Sequence, residues 1–156
     1  MPQSNIYGAG AASILELFSD YVEGEADRAA LVLGTKKPSP AASNALEKSL
    51  AAFGFGDDAL SYATTIPLDG ASGSSTLLDP QALFLLVEGI DPILLVCTDA
   101  EAISVLAQAY RIALQPDSTT RVFGRPAVLF EDLDALVATD AGKQKAWKLL
   151  KALPRR

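Results

Sequence analysis

Two short runs in this chain, Ala29–Leu33 and Ile93–Cys97, are apolar at every position. A strand on a half-exposed sheet alternates apolar with polar side chains, so an unbroken apolar run requires cover on both faces. Each run also leads into a helix start. After Gly34, Pro38-Ser39-Pro40 offers a turn, a serine N-cap and a proline at the first helical position. After Cys97, Thr98-Asp99-Ala100-Glu101 has the spacing of a capping box opened by Thr98. Buried strands that alternate with capped helices predict an α/β fold, a three-layer α/β/α sandwich on a small, mainly parallel four-stranded sheet.

The remaining segments extend this pattern. Leu46, Leu50 and Phe53 recur at helical spacing until Gly54 and Gly56, and Leu60–Ile66 reads as a second strand. A Gly/Ser-rich loop, Asp69–Ser75, precedes Asp79-Pro80, which opens a helix carrying Leu83, Leu86, Val87 and Ile90. Short extended segments, Thr120–Phe123 and Pro126–Phe130, flank Gly124, and a last helix over Asp140–Leu153 places Ala146, Leu149, Leu150 and Leu153 on one face, with Trp147 expected in the core. Residues 1–28 form an N-terminal segment with a short helix in the stretch Ile14–Val22, and 29–156 form one domain. The stripe Ile14, Leu15, Leu17, Phe18 and Tyr21 is suited to dock on that domain or on a partner.

Composition bounds the chemistry. There is no histidine, which removes the commonest general base near neutral pH and the commonest zinc ligand. The lone cysteine, Cys97, lies inside an apolar run and is expected to pack in the core. No cofactor and no metal are expected. No apolar run approaches the roughly 20 residues of a membrane-spanning helix, and Met1–Gly10 lacks the pattern of a signal peptide, so no membrane and a cytoplasmic location are expected. Net charge is -6, unevenly spread. Of 19 acidic residues only Asp140 falls in the last seventeen positions, whereas Lys143, Lys145, Lys148, Lys151, Arg155 and Arg156 all do. An acidic body disfavours a phosphate backbone, so nucleic-acid contact is expected to be weak or indirect.

In a parallel sheet of this kind ligands bind beyond the carboxyl ends of the strands, here Thr35–Lys37, Pro67–Asp69, Thr98–Asp99 and Glu131–Asp132. Asp69, Asp99, Glu131 and Asp132 could converge there on Mg²⁺ or act as a base, and each is equally placed to cap a helix or serve a loop, the reading preferred. Lys36 and Lys37 could meet a phosphate at the next helix N-terminus, but without a P-loop pattern they read as solvated lysines. Lys145, Lys148, Lys151 and Arg155 could contact an acidic partner or nucleic acid, or simply complement the helix dipole.

Several phrases, in order, resemble the small bacterial uracil-DNA glycosylases. They are Leu46–Phe53 with Gly54-Phe55 and Leu60–Ile66, Ile90–Val96, Arg121–Leu129, and Gly142–Leu150. The likeness covers roughly Ala29–Leu153 and implies the glycosylase fold without its catalytic residues. Where that family has a Gly-Glu-x-Pro-Gly loop, this chain has Gly34-Thr35-Lys36-Lys37-Pro38. The uracil-reading asparagine falls at about Thr65, whose hydroxyl lacks the amide's paired donor and acceptor. The His-Pro-Ser motif falls at about Asp132-Leu133-Asp134, which puts repulsive charge where negative charge would develop. The iron-sulfur cysteines of some members are absent. A second likeness, in length and element order, is to the psi subunit of the bacterial clamp-loader assembly, which implies a fold used through protein contacts alone. The expected function is therefore a non-catalytic protein of the glycosylase fold acting through protein-protein contacts, as a replication or repair accessory factor. The alternatives are a divergent glycosylase or other nucleic-acid enzyme using Thr35, Lys36 or Asp132, and a small-molecule binder at the strand ends.

Overall fold

The structure, a computed structural model, describes residues 13–25, 28–68 and 77–153. The loop Asp69–Ser75 and the candidates Asp69 and Arg155 lie outside these residues. A helical segment, 13–17, is followed by β1 (Val22–Glu23), β2 (Ala30–Gly34), α1 (Pro40–Ala52), β3 (Leu60–Thr64), α2 (Pro80–Ile90) and β4 (Leu94–Cys97). Then come α3 (Ala100–Tyr110), β5 (Ser118–Val122), β6 (Arg125–Leu129), α4 (Leu133–Leu136) and α5 (Asp140–Lys151).

The α/β class holds, but the sheet is mixed and six-stranded among the described residues, in the order β1-β3-β2-β4-β6-β5. β3, β2, β4 and β6 run parallel, and β1 and β5 add antiparallel edges. The expected four-stranded parallel sheet is thus too small. β5 and β6 are joined only by Phe123-Gly124, both at positive φ, and a two-residue connection can join only antiparallel strands. At the other edge, Val22, the last residue of the expected helical stretch, and Glu23 after it pair with Ala63 and Tyr62. Gly24 makes this possible: at φ 114° it passes so close to Ser61 that a Cβ would fall 2.8 Å from the Ser61 Cβ.

The period of two along each strand divides the core. Leu31, Leu33, Leu95, Cys97, Ala127 and Leu129 face α2 and α3, while Ala30, Val32, Leu94, Val96 and Val128 face α1, α4 and α5. This is why the central strands show no polar alternation. Each fully buried leucine contributes about 2 kcal/mol of transfer free energy. Ile14 and Phe18 pack on the first of these clusters, so the N-terminal stripe docks on its own domain, with Leu17 left exposed. Gly89 receives Ile14, since any Cβ there would meet the isoleucine side chain.

Capping follows the sequence with one shift. Ser39 caps α1 and Pro40 opens it, and Asp79 caps α2. At α3 the cap is Asp99 and not Thr98, because the Asp99 carboxylate accepts from the Ala102 N–H while the Thr98 hydroxyl turns to the Leu33 carbonyl. Trp147 is not sealed in the core. It is 40 % exposed and stacks on Phe53 with ring centroids 5.1 Å apart.

The tightest joint lies between α4 and α5. A Cβ on Gly142 would sit on the Leu136 carbonyl, 2.7 Å from its carbon. Alanine improves helix propensity by about 1 kcal/mol, but overpacking against a backbone costs about 3 kcal/mol, so the clash wins. Gly142→Ala is expected to lower stability by about 2 kcal/mol in urea unfolding, and the exposed control Gln144→Ala to change it by less than about 0.5 kcal/mol. A stabilised Gly142→Ala would contradict this packing.

Candidate functional site

The chain runs from β2 outward to β3 and then crosses back to β4 on the other side of β2. Between the carboxyl ends of β2 and β4, loops diverge to opposite sides, and such a switch point opens a crevice. A cleft of about 580 Å³ lies there, walled by Thr35–Pro38 after β2, Thr98–Glu101 after β4, and Glu131, Asp132, Asp134 and Ala135 after β6.

Asp99 holds this cleft in shape. One of its oxygens, Oδ2, accepts from the Thr35 backbone N–H at 2.8 Å and from the Thr35 hydroxyl at 2.9 Å. Its Oδ1 accepts from Ala102 at 2.9 Å, which caps α3. One carboxylate therefore ties the end of β2 to the start of the helix after β4. Gly34 allows the approach, since a Cβ there would strike the Thr98 hydroxyl and come within 2.7 Å of the Lys36 carbonyl oxygen. The neighbouring carboxylates are committed in the same way. Asp132 accepts from Ala135 at 3.1 Å and caps α4, and Asp134 accepts from the Ser39 N–H at 2.9 Å at the start of α1. Each helix start that borders the cleft carries a cap from the chain's own side chains, Ser39, Asp99 or Asp132, and the two aspartates place negative charge where a phosphate would sit.

Of the residues that the sequence places at this site, Thr35, Lys36 and Asp132 line the cleft. Thr65 does not. It is buried just past the end of β3, where its N–H donates to the Gly34 carbonyl and its own carbonyl accepts from Leu78, so its backbone is pinned between neighbouring segments. Lys37 is paired with Glu23 and lies over the Tyr62 ring, 5.0 Å from its centroid. Lys36 is exposed at the rim. Against these two lysines the cleft sets Asp99, Glu101, Glu131, Asp132 and Asp134, so its field repels anions. Among the described residues no group of three or more carboxylate or cysteine side chains is placed to hold a metal ion.

The terminal-helix candidates lie elsewhere. Lys145 pairs with Asp117 at 3.2 Å, and Lys148 and Lys151 stand exposed in the last turn of α5, where they complement the dipole. Sequence reasoning missed two features. Asp134 is one, because its partner Ser39 lies 95 residues away. The other is an aromatic surface in which Phe84, Tyr110 and Phe123 meet edge to face around a concavity of about 550 Å³. Beneath it Arg125, nearly buried, donates to Glu88 at 2.7 Å, to Asp91 at 2.8 Å and to the Pro92 carbonyl at 3.1 Å, while the Tyr110 hydroxyl donates to Glu88 at 2.6 Å. Burial, then the bond to Glu88, pushes the Tyr110 hydroxyl well above its ordinary pKa. The Phe-Gly turn between two extended segments was the only sequence signal for this surface.

No protein-family model matches the chain, and no curated protein does. No helix among the described residues is long and apolar enough to cross a membrane.

Two outcomes follow from this geometry. Cys97 is fully buried, and burial pushes its thiol far above the ordinary range, with Asp99 adding to the effect. A disulfide thiol reagent at pH 8 should label it only after unfolding; fast labelling of the native protein would contradict its placement. Asp99→Asn keeps the shape but leaves one acceptor oxygen for two sets of donors. It should cost about 2 kcal/mol in urea unfolding, and a change below about 0.5 kcal/mol would show that the latch carries no weight.

Proposed function

We propose that this chain is a non-catalytic protein of glycosylase-like α/β architecture that acts through protein contacts, as an accessory factor in replication or repair. The observation that carries the reading is the commitment of the three cleft aspartates. Asp132 and Asp134, where the His-Pro-Ser motif of a glycosylase would fall, and Asp99, which is bonded to Thr35 of the shortened first loop, each hold a backbone N–H of a loop or helix start. A general base must be free to reach the proton that it abstracts. These groups are bonded to the fold. The acid excess of the cleft also opposes the DNA backbone that a base-flipping enzyme must grip.

A second reading has one observation in its favour, the open volume of about 580 Å³ at the switch point. A small polar or cationic molecule bound between Thr35, Lys36 and Asp132 would fit the field, and a ligand-dependent rise in Tm would reveal it.

The test of the first reading joins a single-turnover assay on a uracil-containing single-stranded oligonucleotide with affinity retention from extract of the native host. The expected results are no excision above blank, and near-stoichiometric retention of a discrete replication or repair protein. Excision abolished by Asp132→Ala would overturn the non-catalytic reading. A chain that retains no partner would overturn the protein-contact reading.

A further inference from the structure

The groove between α1 and α5 carries features that neither the strand-end cleft nor the fold requires. Its walls are Ala45, Lys48, Ser49 and Ala52 from α1 and Lys143, Ala146, Trp147 and Leu150 from α5, with Val137 at the floor and a volume of about 330 Å³. Each helix contributes positions i, i+3, i+4 and i+7, which is one continuous stripe per helix. Two such stripes side by side form the seat that a third helix needs. Ala45, Ser49, Ala52 and Ala146 are small, so a third backbone can approach to ordinary helix-packing distance. Leu150 and Ala146 are recessed, and Trp147, held by its stack on Phe53, presents the large ring typical of an interface anchor.

Charge selects the occupant. Lys48 stands on one wall and Lys143 on the other. Neither has an ion pair among the described residues, whereas Lys145, on the far side of α5, is paired with Asp117. The chain as a whole is acidic, at -6. An acidic partner is therefore repelled by most of the surface and drawn to the basic helix.

We propose that this groove seats one amphipathic helix of a partner protein, whose apolar stripe fills the space between α1 and α5 and whose aspartate or glutamate side chains pair with Lys48 and Lys143. The inference rests on the protein-contact reading above and names the partner's chemistry. A recessed apolar floor favours an inserted helix over a lipid surface, which is met by protruding apolar side chains.

Trp147 is the single tryptophan and reports directly on the groove. The full chain is titrated with a synthetic helical peptide carrying leucine at i, i+3, i+4 and i+7 and flanking glutamates, with its lysine counterpart, and with phosphatidylserine vesicles. The glutamate peptide should give a saturable change in Trp147 emission. Its affinity should fall at least tenfold in Lys48→Glu/Lys143→Glu, a variant of exposed side chains whose melting curve should match wild type. The lysine peptide should bind wild type at least tenfold more weakly. The proposal is overturned if the glutamate peptide does not saturate, if both peptides bind alike, if only vesicles bind, or if the groove mediates self-association that the charge reversal abolishes. Retention of the native partner by the charge-reversed groove would sink this proposal and leave the protein-contact reading standing. Uracil excision would sink the non-catalytic reading without touching the groove.

Discussion

The carboxylate of Asp99 meets a need that the buried sheet itself creates. β2 and β4 lie side by side, wholly apolar and covered on both faces, so their side chains provide no polar partner where the chain leaves the sheet. The Thr35 N–H and the opening N–H groups of α3 emerge close together at that point, and an unpaired buried N–H costs about as much as a lost hydrogen bond. Asp99 serves both at once. Gly34 gives the room, Thr98 bonds back to Leu33, and an antiparallel backbone pairing of Asp99 with Asp132 carries the arrangement across to the segment after β6.

This arrangement explains how a cleft can persist without chemistry. The switch point opens a crevice by topology alone, whatever side chains line it. Here three of the carboxylates that line it, Asp99, Asp132 and Asp134, are bonded to helix starts and loop backbone, and none of the lining residues is a histidine or cysteine. The exposed surfaces with unspent character lie away from it. One is the aromatic patch beside the β5–β6 hairpin, underpinned by Arg125. Another is the groove between α1 and α5, where an apolar floor coincides with two lysines that have no ion pair among the described residues.

Much of the fold was legible because it rests on local rules. Apolar runs marked β2 and β4, and Ser39-Pro40 and Asp79-Pro80 marked two helix starts to the residue. What escaped depends on partners far along the chain. β1 exists only because β3 offers an edge, and the Asp99 cap displaced Thr98 only because Thr35 and Leu33 stand nearby to engage both side chains. The site was legible in position and not in state. The strand-end rule found Thr35, Lys36 and Asp132, but Thr65 was assigned to the pocket when its backbone is pinned between Gly34 and Leu78. Lys145 has the sequence pattern of a free cation, yet Asp117, 28 residues earlier in the chain, pairs with it.

The central claim, that the cleft's aspartates serve the fold, is tested most directly by a double-mutant cycle between Asp99 and Thr35, measured by equilibrium urea unfolding of wild type, Thr35→Val, Asp99→Asn and the double variant. A hydroxyl bonded to a shared, structural carboxylate predicts a coupling of about 1 kcal/mol. Coupling indistinguishable from zero, with both single variants as stable as wild type, would mean that Asp99 is free in the folded protein and available for chemistry.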